Sequence, residues 1–176
     1  MAGELIYAFR VMRLPLLDAG GSEIGKIDDI VVVPGRPGQP PRVTGFVASS
    51  QRRRIFVNAA RIAVLDADGV RLRSWDIDLN PFKTRPGETL IGKEIIDRTI
   101  EGGERVSDVG LVERTDGRTT LWDVAKVRLA SRNTLRRRPS YRLVEWSEVA
   151  GLFAANTAME AEAARLRDMH PSDVAH

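Results

Sequence analysis

Apolar residues along this chain come in short runs broken by turn-forming clusters. Residues 14–18 are apolar up to Asp18 and close on Ala19-Gly20-Gly21-Ser22, and a second apolar stretch, 23–33, runs into the Pro/Gly-rich segment 34–41. That segment predicts a loop, because proline lacks the N–H that an inner strand or helix needs. Residues 42–48 resume with β-branched and aromatic side chains, 49–53 read as a polar turn, and 54–57 as a strand. Segments 62–65 and 70–72 flank the turn Asp66-Ala67-Asp68-Gly69. About six short strands within about 60 residues predict a small antiparallel barrel.

The pattern then repeats. Leu17-Asp18, a glycine turn and Ile27-Asp28-Asp29-Ile30 are echoed at an offset of 79 by Ile96-Asp97, Gly102-Gly103 and Val106-Ser107-Asp108-Val109. Phe56-Val57-Asn58-Ala59-Ala60-Arg61-Ile62 is echoed by Leu143-Val144-Glu145-Trp146-Ser147-Glu148-Val149 at an offset of 87. The eight-residue drift falls in the hairpins between. One hairpin of the second copy, 109–114 with 119–130, turns on Asp116-Gly117, whose glycine supplies a positive φ. Duplication at this scale predicts two related units rather than one larger sheet. Residues 74–88, with Asn80-Pro81 and Arg85-Pro86-Gly87, read as a linker that packs across both units through Trp75, Ile77, Leu79 and Phe82. From Ser147, read as a cap, the period lengthens, and 152–169, rich in Ala, Glu and Arg, predicts a helix that ends at His170-Pro171. The expected organisation is all-β: a first barrel over 5–73, the packing linker 74–88, a second barrel over 89–150 and a C-terminal α-helix within 151–176.

Composition narrows the chemistry. Of 176 residues, 27 are Lys or Arg and 24 Asp or Glu, for a net charge of +3. Only Lys26, Lys83, Lys93 and Lys126 are lysines, so arginine carries the basicity. A uniformly basic nucleic-acid binder is not indicated, although a local patch is compatible with these numbers. There is no cysteine, which removes disulfides, thiol nucleophiles and thiolate metal sites. The two histidines, His170 and His176, sit at the C-terminus, away from any predicted core. No apolar run reaches the roughly 20 residues of a membrane span, and the first residues do not read as a signal peptide. The expected location is the cytoplasm, including the inner face of the membrane.

The stretch Arg13-Leu14-Pro15-Leu16-Leu17-Asp18-Ala19-Gly20-Gly21-Ser22-Glu23-Ile24-Gly25-Lys26-Ile27-Asp28-Asp29-Ile30-Val31 resembles the opening of a PRC-barrel, the small β-barrel of the photosynthetic reaction-centre H subunit and of the ribosome maturation factor RimM. The order of the later segments strengthens the likeness: Arg42-Val43-Thr44-Gly45-Phe46-Val47, the second copy, Val144-Glu145-Trp146-Ser147-Glu148-Val149, the Ala-rich segment and His170-Pro171-Ser172-Asp173-Val174-Ala175. This succession is similar to the N-terminal region of actinobacterial CBS-domain proteins related to the MgtE magnesium transporters, where tandem PRC-barrels precede a helical domain. The second copy departs from the pattern, with Glu104-Arg105-Val106 in place of the Ile-Gly-Lys step. The resemblance implies a non-catalytic adaptor or regulatory module that contacts a protein partner or downstream domains. It implies no cofactor and brings no magnesium ligand onto this chain. The alternative is a RimM-like RNA-assembly factor.

Two sets of residues carry candidate chemistry. Asp28, Asp29 and Asp108 are the residue type that hard cations favour, but neighbours on a regular strand point to opposite faces. One of the pair is therefore expected to tie down a turn and the other to be solvated. Arg52, Arg53, Arg54 and Arg136, Arg137, Arg138 precede equivalent strands of the two copies, and are the candidate partner- or anion-binding tips. An acidic protein or an anionic lipid surface fits them better than RNA, because no aromatic residues interleave for base stacking. The same charges also discourage edge-to-edge strand pairing. A homodimer is compatible with these features. Gly20-Gly21 and Gly102-Gly103 are turn residues, not phosphate cradles, since no strand–turn–helix surrounds them. Trp75, Trp122 and Trp146 are expected in the core and between units.

Overall fold

The computed structural model describes residues 4–75, 81–83, 85–131 and 138–153. The described chain is mostly strand, arranged as a curled, half-barrel sheet. Its elements are β1 (Leu5–Tyr7), the short helix α1 (Ala8–Val11), β2 (Pro15–Leu17), β3 (Glu23–Val33), β4 (Arg42–Ser50) and β5 (Arg53–Asn58). After a 3-10 turn, Ala59–Arg61, come β6 (Ile62–Asp66), β7 (Gly69–Leu72) and β8 (Thr89–Leu90). A π-helical turn, Ile91–Ile95, leads to β9 (Arg105–Asp116), β10 (Thr119–Ser131), β11 (Ser140–Glu145) and a last 3-10 turn, Trp146–Val149. The strands expected from the alternation all form, with the Pro/Gly segment as the loop between β3 and β4. The helix expected over 152–169 lies, beyond Phe153, outside the described residues, as do Arg136, Arg137, both histidines and linker residues 76–80.

The two copies lie in one larger sheet, which corrects the expectation that the duplication keeps them as separate units. Its eleven strands follow the path β1-β9-β10-β4-β3-β2-β7-β6, with β5 on β4, β11 on β10 and β8 on β3. β4 and β10 meet at a single antiparallel pair, Arg42 with Asp123, reinforced by the Val124 N–H donating to the Pro41 carbonyl at 2.8 Å. The offset between copies at β4 and β10 is 81, which carries Arg42 onto Asp123, so this pair marks a pseudo-twofold axis. The leading strands are exchanged across it. β1 pairs with β9 (Tyr7 opposite Gly110), whereas β8 pairs with β3 (Leu90 opposite Val31). One cluster of buried side chains accordingly runs from Ala8 and Val11 through Phe46 and Trp122 to Leu152 and Phe153.

The copies also share their irregularities. β3 carries one extra residue, Asp28, between Ile27 and Asp29, and β9 carries Ser107 at the corresponding place. Thr44 in β4 and Ala125 in β10 are the extra residues of a second matched pair. A bulge resets the alternation of faces. Ile27, Ile30 and Val32 thereby all reach the main core, as do Val106, Val109 and Leu111, while Val31 joins a smaller cluster on the other face.

That smaller cluster, Val31, Val47 and Leu90 with Phe56 and Phe82 against it, depends on Gly45. A Cβ on Gly45 would lie 2.4 Å from the Val57 carbonyl oxygen and 2.5 Å from the Phe56 ring. Gly45→Ala is expected to cost about 1–3 kcal/mol by overpacking, read as a lowered denaturant midpoint. Gly110→Ala should cost less, since its nearest neighbour is the mobile end of Leu5 at 3.2 Å.

Two further expectations are corrected. Trp75 is 70% exposed and lies over Gly20, so it does not pack between the copies. Trp122 is fully buried and Trp146 packs against the core. The last 3-10 turn is capped by Glu145, not Ser147: the Glu148 carboxylate accepts from the Glu145 N–H at 3.0 Å in a reciprocal capping box.

Candidate docking surface

Of the first cluster, Arg52 lies in the tight turn between β4 and β5 and Arg53 and Arg54 open β5; Ser50 pairs with Arg53, and only Gln51 and Arg52 lie between. Both turn residues have positive φ, 50° and 66°. A two-residue hairpin loop with both centres left-handed strongly favours Asn-Gly, because a Cβ is disfavoured in that region. The sequence places Gln and Arg there instead. Arg52 and Arg53 are exposed at the tip. Arg54 is engaged with the fold. Its Nε lies 4.0 Å from the Asp28 carboxylate and its guanidinium 5.8 Å from the centroid of the Phe82 ring.

The second arginine cluster falls in the corresponding connection, between β10 and β11. That connection is six residues longer than its counterpart, since the offset grows from 81 at Gly45 and Lys126 to 87 at Asn58 and Glu145. Arg138 is exposed there; Arg136 and Arg137 lie outside the described residues. The structure thus describes one basic tip in full and one residue of the other.

The aspartates do something the sequence only half anticipates. Asp28 sits on the bulge itself, so the premise of a regular strand at this place does not hold. Its carboxylate accepts from the Ser49 hydroxyl. Asp29 is buried and accepts three backbone N–H groups: Ile30 at 2.7 Å, Gly92 at 2.6 Å and Lys93 at 3.0 Å. Asp108 accepts from Val109 at 2.8 Å and Phe9 at 3.0 Å. The two are twofold counterparts, each holding the first helical turn that follows the other copy's exchanged strand. Burial pushes both carboxyls above their ordinary 3.8, against the pull of those N–H donors. These carboxylates serve as staples between the copies. Among the described residues no three acidic or histidine side chains converge as a metal site would require.

Sequence reasoning missed one surface. Tyr141 and Leu143 project from the same face of β11 and are 52% and 41% exposed. The Arg128 guanidinium lies 4.2 Å from the centroid of the Tyr141 ring. The available signal was the offset of 87, which sets Leu143 against the packed Phe56. No helix among the described residues is long and apolar enough to cross a membrane. No family model, no curated protein and no solved structure matches this chain.

Proposed function

We propose that the chain is a non-catalytic adaptor module built from two PRC-barrel-like units, which presents basic hairpin tips to a protein partner or to neighbouring domains of its own protein. By its sequence resemblance, that protein is a magnesium-transporter-like one of the MgtE and CBS-domain type. The observation that carries the reading is the backbone of Gln51 and Arg52. A residue with a side chain in the left-handed region costs about 1–2 kcal/mol relative to glycine, and such strain concentrates where a side chain is needed for contact. The buried carboxylates support the same reading, since they are occupied in holding the copies together.

The strain makes the reading testable. Arg52→Gly is expected to raise the melting temperature by a few degrees, equivalent to about 1 kcal/mol. With a photo-crosslinking residue in place of Arg53 in the full-length protein, irradiation in cells should give a nuclease-resistant protein adduct. Arg52→Gly should weaken that adduct several-fold while stabilising the fold. Nuclease-sensitive adducts would favour the RimM-like RNA reading, and an adduct indifferent to Arg52→Gly would remove the tip from any role in docking.

A further inference from the structure

The pseudo-twofold relation supplies an internal template for a contact that, among the described residues, one copy makes and the other does not. In the first copy, the open edge of β5 is covered by residues 81–83. Pro81 bridges antiparallel to Ile55, and the Phe82 N–H donates to the Arg54 carbonyl at 2.9 Å. The Phe82 ring packs on the outer-face cluster of Val31, Val47 and Leu90, beside Phe56. Proline suits the position, because it takes an extended conformation and needs no partner for its nitrogen.

The equivalent surface of the second copy has the same architecture. Offsets of 87, 81 and 79 carry Arg54 onto Tyr141, Phe56 onto Leu143, Val47 onto Arg128 and Val31 onto Gly110. Among the described residues β11 pairs with β10 alone. By the equivalence with Arg54, the Tyr141 carbonyl points out along the open edge. Beside it the Tyr141 and Leu143 side chains stand half exposed, with Arg128 against the Tyr141 ring. An edge with unpaired backbone groups and an apolar strip next to it is the receptor geometry for an added strand.

We propose that β11 is a second docking site, distinct from the arginine tips, which takes an extended segment of a protein partner carrying a proline–aromatic pair and an acidic residue. The backbone of that segment continues the sheet at Tyr141. Its aromatic ring covers Leu143 as Phe82 covers the first copy's cluster, and its carboxylate meets Arg128, which stands where the first copy has Val47. Antiparallel pairing with the aromatic residue opposite Tyr141, as Phe82 lies opposite Arg54, sets the residue two before it opposite Leu143, which pairs with Arg128. Residues two apart in an extended segment share a face, so the acidic residue belongs two before the aromatic one.

The chain's own sequence leading into the covering residues 81–83 provides the probe. A labelled peptide copying residues 77–83 with Asn80→Asp, which sets a carboxylate two before Phe82, is titrated into the intact chain, followed by fluorescence anisotropy and by amide chemical shifts. Binding is expected with shifts at Tyr141 and Leu143, weakened at least tenfold by Tyr141→Ser/Leu143→Ser or by alanine at the peptide's Phe position. Both substituted residues are surface-exposed, and an unchanged melting temperature confirms that the double variant folds. No binding, binding unaffected by the double variant, or shifts confined to β5 would overturn the proposal. So would concentration-dependent dimerisation lost on Leu143→Ser, which would assign the edge to a second copy. None of these outcomes depends on the arginine tips, so failure here leaves the crosslinking result standing, and the reverse.

Discussion

Trp122→Ala is expected to cost about 3–5 kcal/mol, the usual range for truncating a buried aromatic, out of a total of about 5–15 kcal/mol for a domain. Trp122 is fully buried, meets Phe46 edge-to-face with centroids 6.1 Å apart, and precedes Asp123, the residue through which β10 touches β4. The pseudo-twofold carries it onto Pro41, so one indole fills a place near the axis that symmetry cannot fill twice. Since the copies share strands and core, the variant should lose stability everywhere at once: one cooperative transition with a lowered midpoint and unchanged steepness. Two separated transitions would show that the copies fold independently. Trp122→Phe should recover much of the loss, because the buried indole N–H has no hydrogen-bond partner among the described residues and its removal relieves a cost. A loss below about 1 kcal/mol for Trp122→Ala would mean that the axis is held by something else.

The hairpins were legible because their punctuation is local. Proline and glycine at 34–41 exclude regular structure, and Asp116-Gly117 announces its turn, with Gly117 at φ 64°. The duplication was legible because the offsets of 79 and 87 preserve residue type on both sides of a turn. What was not legible is where strands go. β1 is three residues long and pairs with β9 more than a hundred positions away; nothing in Leu5-Ile6-Tyr7 says which long hairpin it joins. The bulges at Asp28 and Ser107 were equally silent, since an extra residue changes the face of everything after it without changing composition. The candidate site divides in the same way. A run of three arginines is visible in any reading. That Arg52 is held in a left-handed turn while Arg54 is taken up by Asp28 and Phe82 depends on register. Trp75 misled because a large apolar residue in a linker suggests packing, whereas here it rests on Gly20 and faces solvent.

Asp29 and Asp108 carry the other large expected effect, because they join the exchanged strands. Asp29→Ala would strand three backbone N–H groups and Asp108→Ala two. With about 1–3 kcal/mol per unsatisfied buried group, and some recovery through water, the expected losses are about 3 kcal/mol for Asp29→Ala and about 2 for Asp108→Ala. Asn should lose less at either place, since it keeps an acceptor and removes a buried charge. The pH dependence follows from the direction of the shifts. Both carboxyls sit above 3.8 in the fold because burial outweighs the N–H donors. The folded state therefore binds more protons than the unfolded one between 3.8 and the raised values. The stability these groups contribute is fully present below 3.8 and is lost as pH rises through that window. Measured by denaturation at successive pH values, wild type should gain on Asp29→Asn/Asp108→Asn as the pH falls. Glu104 provides the opposite control. The Arg142 guanidinium, 2.7 Å away, holds it below its ordinary 4.5, so its contribution is present above 4.5 and is lost on acidification. A wild-type advantage over the double Asn variant that shrinks with falling pH would mean that the N–H donors outweigh burial. The staples would then act as anions at helical turns rather than as buried acceptors strained by their own charge.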